Sequence, residues 1–555
     1  MRTAVRRASL VFFLLALAGL AILARLFQLQ VFEHREWAAM AQAIQEDRIE
    51  IPSRRGTIYD RNGVPLAYDI PAYSIAVDNY HLTNPELLVN LLVKELGMSS
   101  EEAKAKVYRP GYFTWLARNV DLDVAQRFRA LAQAQRIKGL LFFPTWKRAY
   151  PQGSMALEVL GLVGVDGDGL SGLELAFDEV LRGKPRIIRI LRAGDGTPYD
   201  LWEEDPGTPG QDLHLTLDSR IQWICEAELD ETLRNSPADR GCAVVLDPRS
   251  GEVLALAQSP RYDPQNPAIE LLKPWAVTDV FEPGSTFKGL VALAAWDLGV
   301  VSETEQFEGS SPRIVAGVAI KNAHNRSYPP LTLRDALAQS VNTVLVQVAQ
   351  RVGAPKLYEY LRRLGLGELT GIELPGEVAG LLRPPEKWTE VDLAVSSFGQ
   401  SVGVTAIQLA AAYAALCNDG IRIRPHLLPG KPEVQGTVAQ PSSCQKIREF
   451  LGYAVNTGTG SPAKVPGFNV GGKSGTAQIA IPGRGYVPGH VTTAMAAFFP
   501  WDSPQYTIVV IYQTSKTDDF WSGTTAVPSV GRIVRAMASI GLVYPPEITG
   551  LGRSG

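Results

Sequence analysis

Strand-like segments bracket a long helical block in the C-terminal part of this chain, and that arrangement constrains its fold more than any other feature. Residues 243–247 and 253–258 are short Val/Leu/Ala-rich runs joined by Pro248-Arg249-Ser250-Gly251, the signature of an antiparallel hairpin. Helical patterning follows at 287–301, 331–340, 343–352, 355–364 and 405–417. Strand signals return only at 469–481, 492–499 and 506–512, before a last helix from about 529 to 540. Strands on both sides of a helical block imply one antiparallel sheet with a helical subdomain inserted into it, an α/β (α+β) architecture.

Upstream, Asn62-Gly63 is a hairpin turn between short strand signals at 57–59 and 64–67. Short helices at 101–107, 123–135 and 172–181 alternate with Gly-rich turns, and no catalytic constellation occurs before residue 210. The acidic, Pro/Gly-rich stretch Glu203-Glu204-Asp205-Pro206-Gly207-Thr208-Pro209-Gly210 reads as a domain junction. At 555 residues the chain is too long for one ordinary core.

At the N-terminus, Arg2, Arg6 and Arg7 precede the uncharged apolar run 8–24, which continues past Arg25. Those 17 residues lie at the short end of what spans a bilayer, with Arg25 able to snorkel. The alternative is a cleaved signal peptide, for which Ala16-Leu17-Ala18 offers a small-residue site. Helical patterning that runs on to about residue 41 favours a retained anchor. The basic flank puts the N-terminus in the cytoplasm and the rest outside. The expected domains are therefore 1–34 (tail and anchor), 35–210 (non-catalytic) and 211–555 (catalytic).

A composition 46% apolar and 20% charged is that of a globular protein, and a net charge of −3 gives no electrostatic case for a nucleic-acid partner. Four cysteines lack zinc-site spacing and six histidines are scattered, so neither a metal nor another cofactor is expected. A Cys417–Cys444 bridge is open if the compartment is oxidising.

Three motifs carry the chemistry: Ser285-Thr286-Phe287-Lys288, Ser340-Val341-Asn342 and Lys473-Ser474-Gly475. The first supplies a nucleophile with a base one helical turn away, the second a hydroxyl beside an amide, and the third a cation on a strand. S-x-x-K alone is weak, because Ser443–Lys446 and Ser461–Lys464 repeat it. Ser285 differs in following the turn Pro283-Gly284 and opening an almost wholly apolar run, the mark of a buried helix. Ser443 has no buried run behind it on this reading, and Ser461 precedes Pro462. On a helix, residues three apart share a face, so Lys288 is expected to reach Ser285 Oγ. The blander interpretation, an N-cap serine and a snorkelling lysine, loses ground once all three motifs are present in order.

With these residues in view, the chain resembles the class B (monofunctional) penicillin-binding proteins over nearly its whole length, most closely the division-type, septal transpeptidases. Further matching segments are residues 54–63 (Arg-Arg-Gly-Thr-Ile-Tyr-Asp-Arg-Asn-Gly), 148–153, 169–174, 281–288, 397–405 and 472–478. Serine stands at 474 where threonine is common, which keeps the hydroxyl. The resemblance implies a cytoplasmic tail, one transmembrane helix, a pedestal domain and a transpeptidase domain of the serine β-lactamase-like fold.

The resemblance also implies a D,D-transpeptidase that cross-links peptidoglycan stem peptides and is covalently inhibited by β-lactams. Ser285 would be the nucleophile, Lys288 its base, Ser340 a proton relay and Asn342 a holder of the substrate amide. Lys473, with the hydroxyls of Ser474 and Thr476, would attract the substrate carboxylate, and the N–H groups of Ser285 and Thr476 would form the oxyanion hole. Gly471, Gly472 and Gly475 are expected to let a peptide approach the strand. Implied partners are a SEDS-family membrane glycosyltransferase and other divisome or elongasome membrane proteins. Other readings are an elongation-type enzyme, a scaffold that mainly activates the polymerase, and a hydrolase. His324 and Asn325 are left between lining the cleft and stabilising a loop. The 483–489 segment is either one wall of the groove or an ordinary surface loop, and Arg54, Arg55 and Asp60 read as a structural network.

Overall fold

The computed structural model describes residues 2–35, 37, 46–192, 198–264, 268–481 and 483–545. The chain divides into two compact units that alternate along the sequence. The first comprises Met1–Gly56, Asp69–Arg148 and Arg182–Gln211, the second Thr57–Tyr68, Ala149–Leu181 and Asp212–Gly555. The last crossing falls between Gln211 and Asp212, and two earlier segments, Thr57–Tyr68 and Ala149–Leu181, belong to the second unit. In one of them Ile58 pairs in parallel with Leu213, so the strand entering the Asn62-Gly63 turn is bound to the chain just past 210.

The first unit begins with a helix, Arg2–Phe27, followed by a π-helical turn, Gln28–Phe32. Its stretch Ser9–Phe32, 24 residues of mean hydropathy 2.6 with none of it buried, is long and apolar enough to cross a membrane. The part of the predicted helix beyond residue 37 lies outside the described residues. Two small sheets follow. Glu46–Ile51, Arg186–Arg192 and Pro198–Asp205 form an antiparallel trio, while the later residues of Pro65–Val77 pair with Thr114–Asp121. Helices Pro85–Leu96, Ser100–Val107 and Leu122–Ala134 bury Leu88, Leu92, Ala103 and Phe128 against this second sheet.

The second unit is built on five antiparallel strands in the order Val253–Ser259, Arg240–Leu246, Tyr506–Thr514, Gly485–Phe499, Gly471–Ile481. The hairpin that precedes the helical block therefore pairs with the strands that follow it, as the spacing predicts. Every residue of Val253–Ser259 is buried, because helices cover both faces of the sheet. One face carries Ala406–Cys417, whose twelve residues are all buried, and the other carries Ser219–Asn235 and Ala526–Ser539. Thr405 caps the first of these with a capping box to Gln408, which explains the sharp start of an otherwise featureless apolar run.

Two corrections concern helices. Ser443 does have a buried run behind it: Pro441–Thr457 is one helix that buries Cys444, Ile447, Phe450 and Leu451. Its apolar residues recur on one face only, so the stripe reads as polar when scanned linearly. Ser219–Asn235 is likewise a 17-residue helix in a stretch where polar residues dilute the signal.

Asp60, expected in a structural network of the pedestal with Arg54 and Arg55, falls instead in the second unit, and its bonds there are structural. Its buried carboxylate accepts the backbone N–H of Asn62 (2.7 Å), Val64 (2.8 Å) and Ser219 (3.1 Å), and the Ser219 hydroxyl (2.7 Å). All four cysteines are buried free thiols, so the possible Cys417–Cys444 bridge is not formed. Burial pushes both of those thiols up to about 12.

Candidate active site

The three motifs converge within the second unit. Ser285 lies in a 3₁₀ turn, Gly284–Phe287, that leads directly into the helix Lys288–Asp297. In a 3₁₀ turn residues i and i+3 eclipse, so Ser285 and Lys288 share a face even more closely than on an α-helix. Every residue from Lys288 to Ala295 is buried, as the apolar run requires, and Ser285 itself stays partly exposed. The turn is held from below by Tyr413, whose hydroxyl donates to Thr286 O (2.5 Å). Tyr413 is a lone phenol on an otherwise apolar helix, a signal that sequence reasoning passed over.

The Lys288 ammonium does not spend its bonds on Ser285. Nζ donates to Ser340 O (2.6 Å), Ser340 Oγ (3.1 Å) and Asn342 Oδ1 (2.6 Å). Asn342 is oriented in turn by its amide, which donates to Lys321 O (2.8 Å). Ser340 ends the helix Leu333–Gln339 in a left-handed conformation (φ +57°), which turns its hydroxyl and its carbonyl towards the same lysine. A non-glycine residue there carries backbone strain, often kept where function needs the side chain.

Lys473 approaches from the edge strand Gly471–Ile481. Its Nζ donates to Ser340 Oγ (3.0 Å) and to Ser474 O (3.0 Å). Both lysines are almost wholly buried, and among the described residues neither is paired with a carboxylate. Burial therefore pushes Lys473 down to about 7. Burial first, and then the Lys473 charge, pull Lys288 well below the ordinary lysine value.

Side chains alternate along the strand. Lys473 and Gly475 face Ser340 and the Ser285 turn. The Ser474 hydroxyl meets Thr459 Oγ1 (2.9 Å), and Thr476 Oγ1 meets Ser522 Oγ (3.2 Å) and accepts from Ser522 N (3.2 Å). Thr459 and Ser522 are site neighbours that carry no sequence signal, since each sits in an ordinary Gly/Thr-rich loop.

Two glycines of this strand make close backbone contacts within the protein. A Cβ on Gly475 would lie 2.9 Å from Pro283 O and 2.9 Å from Thr286 N, and one on Gly472 would lie 2.6 Å from Ala496 O. They admit the protein's own backbone, and Gly475 lets the Ser285 turn lie against the strand.

From the 483–489 segment, Tyr486 donates to both oxygens of Glu282 (3.1 and 3.0 Å), three residues before Ser285. Glu282 also accepts from Ser401 N (2.8 Å), and burial raises its carboxyl. The other two S-x-x-K copies are not part of the constellation. Lys446 pairs with Glu303 (3.3 Å) and Glu449 (3.0 Å), and Ser461 lies in a separate 3₁₀ turn.

This arrangement offers a partly exposed hydroxyl, a buried amine with a lowered proton affinity, a bridging hydroxyl and a second buried amine. It is suited to acyl transfer through a serine ester. Comparison with known proteins agrees. Residues 241–535 match the penicillin-binding protein transpeptidase domain, and residues 50–215 the penicillin-binding protein dimerisation domain. The chain is 32% identical over 513 residues to the probable peptidoglycan D,D-transpeptidase PenA of Neisseria gonorrhoeae, covering 90% of this chain and 86% of that protein. It is 30% identical over 519 residues to the peptidoglycan D,D-transpeptidase FtsI of Escherichia coli K12, with the same coverage. Among solved structures, penicillin-binding protein 3 of Mycobacterium tuberculosis complexed with aztreonam superposes with a TM-score of 0.68 at 26% identity, over 90% of this chain and 99% of that one. Penicillin-binding protein 2X of Streptococcus thermophilus shares the fold, with a TM-score of 0.73 at 23% identity over 89% of this chain and 81% of that one.

Proposed function

The chain belongs to the class B penicillin-binding proteins, and on that premise we propose that Ser285 is the acylated nucleophile of its transpeptidase reaction. The activity is that of a serine-type peptidoglycan D,D-transpeptidase, which cross-links stem peptides. The observation that carries the site assignment is the convergence of Lys288 and Lys473 on Ser340 Oγ, beside the turn that holds Ser285.

The chemistry follows from the hydrogen bonds. A neutral Lys288 has two N–H groups and one lone pair. Its two shortest contacts, to Ser340 O and Asn342 Oδ1, take the N–H groups. The lone pair is left for a hydroxyl proton. Ser285 Oγ attacks the penultimate D-alanine carbonyl as Lys288 takes its proton, and two N–H groups, those of Ser285 and Thr476, stabilise the oxyanion. The C–N bond then breaks. The terminal D-alanine leaves as an amine after gaining a proton through Ser340, which can accept from one lysine while donating to the other. An amine of a neighbouring stem attacks the ester, loses its proton and restores Ser285. Asn342 orients Lys288 and holds a substrate amide, while Lys473 with Ser474, Gly475 and Thr476 receives the terminal carboxylate.

We assign residues 1–34 to a tail and anchor, 35–210 to a pedestal and 211–555 to catalysis, with the N-terminus cytoplasmic and the catalytic unit extracytoplasmic. The Ser9–Phe32 helix supports the anchor. A septal role, with a SEDS-family glycosyltransferase as partner of the pedestal, rests on likeness to the division-type enzymes. The experiment is intact-protein mass spectrometry after incubation with a penicillin, on wild type and Ser285→Ala. A single persistent adduct on wild type alone is expected; adducts on both proteins, or on neither, would overturn the assignment.

A further inference from the structure

A pair of rings joins two loops that flank the candidate site. On one side His324 sits at the tip of a short loop whose neighbour Lys321 supplies the carbonyl that orients Asn342. On the other, Trp521 immediately precedes Ser522, which hydrogen-bonds Thr476 of the edge strand. The ring centroids of His324 and Trp521 are 5.0 Å apart at 44°, a tilted contact between two exposed side chains. Tilted aromatic pairs at this distance attract beyond their buried area.

The two halves differ in how firmly they are held. Trp521 is fixed from several directions. Its indole N–H donates to Asp519 Oδ1 (2.9 Å), and its carbonyl accepts the hydroxyls of Thr524 (3.0 Å) and Thr525 (2.8 Å). His324 sits between firm posts. Buried Asn322 donates to Gly309 O (3.1 Å) and Arg326 O (2.9 Å) and accepts from Thr343 N (3.0 Å), and the Ser311 hydroxyl donates to Asn325 Oδ1 (3.0 Å). Between those posts His324 (φ +53°) and Asn325 (φ +52°) both adopt the left-handed conformation. Asparagine tolerates that conformation, so the strain falls on His324 and is released when the tip relaxes. The histidine half is therefore the one built to swing.

We propose that the His324–Trp521 pair is a clasp across the cleft that discriminates substrates by bulk. This rests on the reading of Ser285 as the nucleophile. A compact β-lactam reaches Ser285 with the clasp shut, whereas an extended stem peptide lying along the Gly471–Ile481 strand must displace the His324 ring. The clasp's ring contact then appears as a cost in acylation by peptides alone.

The test is a comparison of acylation rates with a small penicillin and with a D-Ala-D-Ala-type peptide thioester. The proteins are wild type, His324→Ala, His324→Phe, Trp521→Ala and the double alanine variant. Removing either ring is expected to speed peptide acylation by about two- to tenfold, with the penicillin rate unchanged. The double variant should gain no more than either single one, and His324→Phe, which keeps a ring, should behave as wild type. Equal changes for both reagents, additive single effects, or slower peptide acylation would overturn the clasp. If no protein is acylated by penicillin, the reading of Ser285 fails first, and the clasp with it.

Discussion

Lys288 and Lys473 share one hydroxyl: Ser340 Oγ lies 3.1 Å from the first ammonium nitrogen and 3.0 Å from the second. Burial of both amines first, and then the Lys473 charge acting on Lys288, make the pair shed a proton well below the ordinary lysine range. Its titration belongs to the pair as a unit.

Acylation by an anionic β-lactam should therefore follow a bell-shaped pH profile. The rising limb reports loss of the proton that leaves Lys288 neutral. The falling limb reports loss of charge on Lys473, which burial pushes down to about 7 in the free protein. Second-order acylation rates from pH 5 to 10 check this; a rate still climbing at pH 10 would contradict it.

Replacing Ser340 separates strain from chemistry. Ser340→Ala and Ser340→Gly both remove the shared hydroxyl, and each is expected to slow acylation by about 10²–10⁴-fold. Glycine accepts φ +57° without strain and alanine does not. Ser340→Gly should therefore be the more stable of the two by about 1 kcal/mol, measurable by denaturant unfolding.

Gly475→Ala tests the contact between strand and nucleophile turn. The new Cβ meets backbone at 2.9 Å on Pro283 and Thr286, which cannot rotate away. Overpacking of this kind costs about 1–3 kcal/mol. The displaced turn should also slow acylation of Ser285, with the folded fraction checked by thermal melting.

Glu158 lies outside the catalytic site but should leave a pH signature. Its side chain is fully buried, and among the described residues neither carboxylate oxygen has a side-chain hydrogen-bond partner. Burial and the neighbouring Glu226 raise its proton affinity well above that of an ordinary glutamate. A group whose folded pKa is raised adds stability below its unfolded value, and that stability is lost as pH rises towards the folded value. Thermal melts from pH 4.5 upward should show the wild type losing stability relative to Glu158→Gln, whose curve lacks this slope.

Much of this architecture is legible in the chain. Covalent order and periodicity determine that strands enclose a helical block and that residues 287–301 form a buried helix start, whereas the family resemblance is what implies that the three motifs share one site. The first two depend on local spacing, which sequence records directly. The spacing also supplies Ser285 and Lys288 on one face, although the 3₁₀ form of that turn and the shorter helix, ending at Asp297, come from packing.

What only the tertiary structure decided is where side chains separated by many residues spend their hydrogen bonds. Lys288 turns to Ser340 and Asn342, 52 and 54 residues away, rather than resting on Ser285. The glycines at 472 and 475 serve contacts with Ala496 and Thr286, and Thr459 and Ser522 enter the site from loops with no motif of their own. Helix Pro441–Thr457 is buried by neighbours that linear scanning does not see. The sequence sets which groups are available and how they repeat locally. Burial, which lowers the proton affinity of both lysines and makes their shared hydroxyl chemically useful, exists only once distant segments close around them.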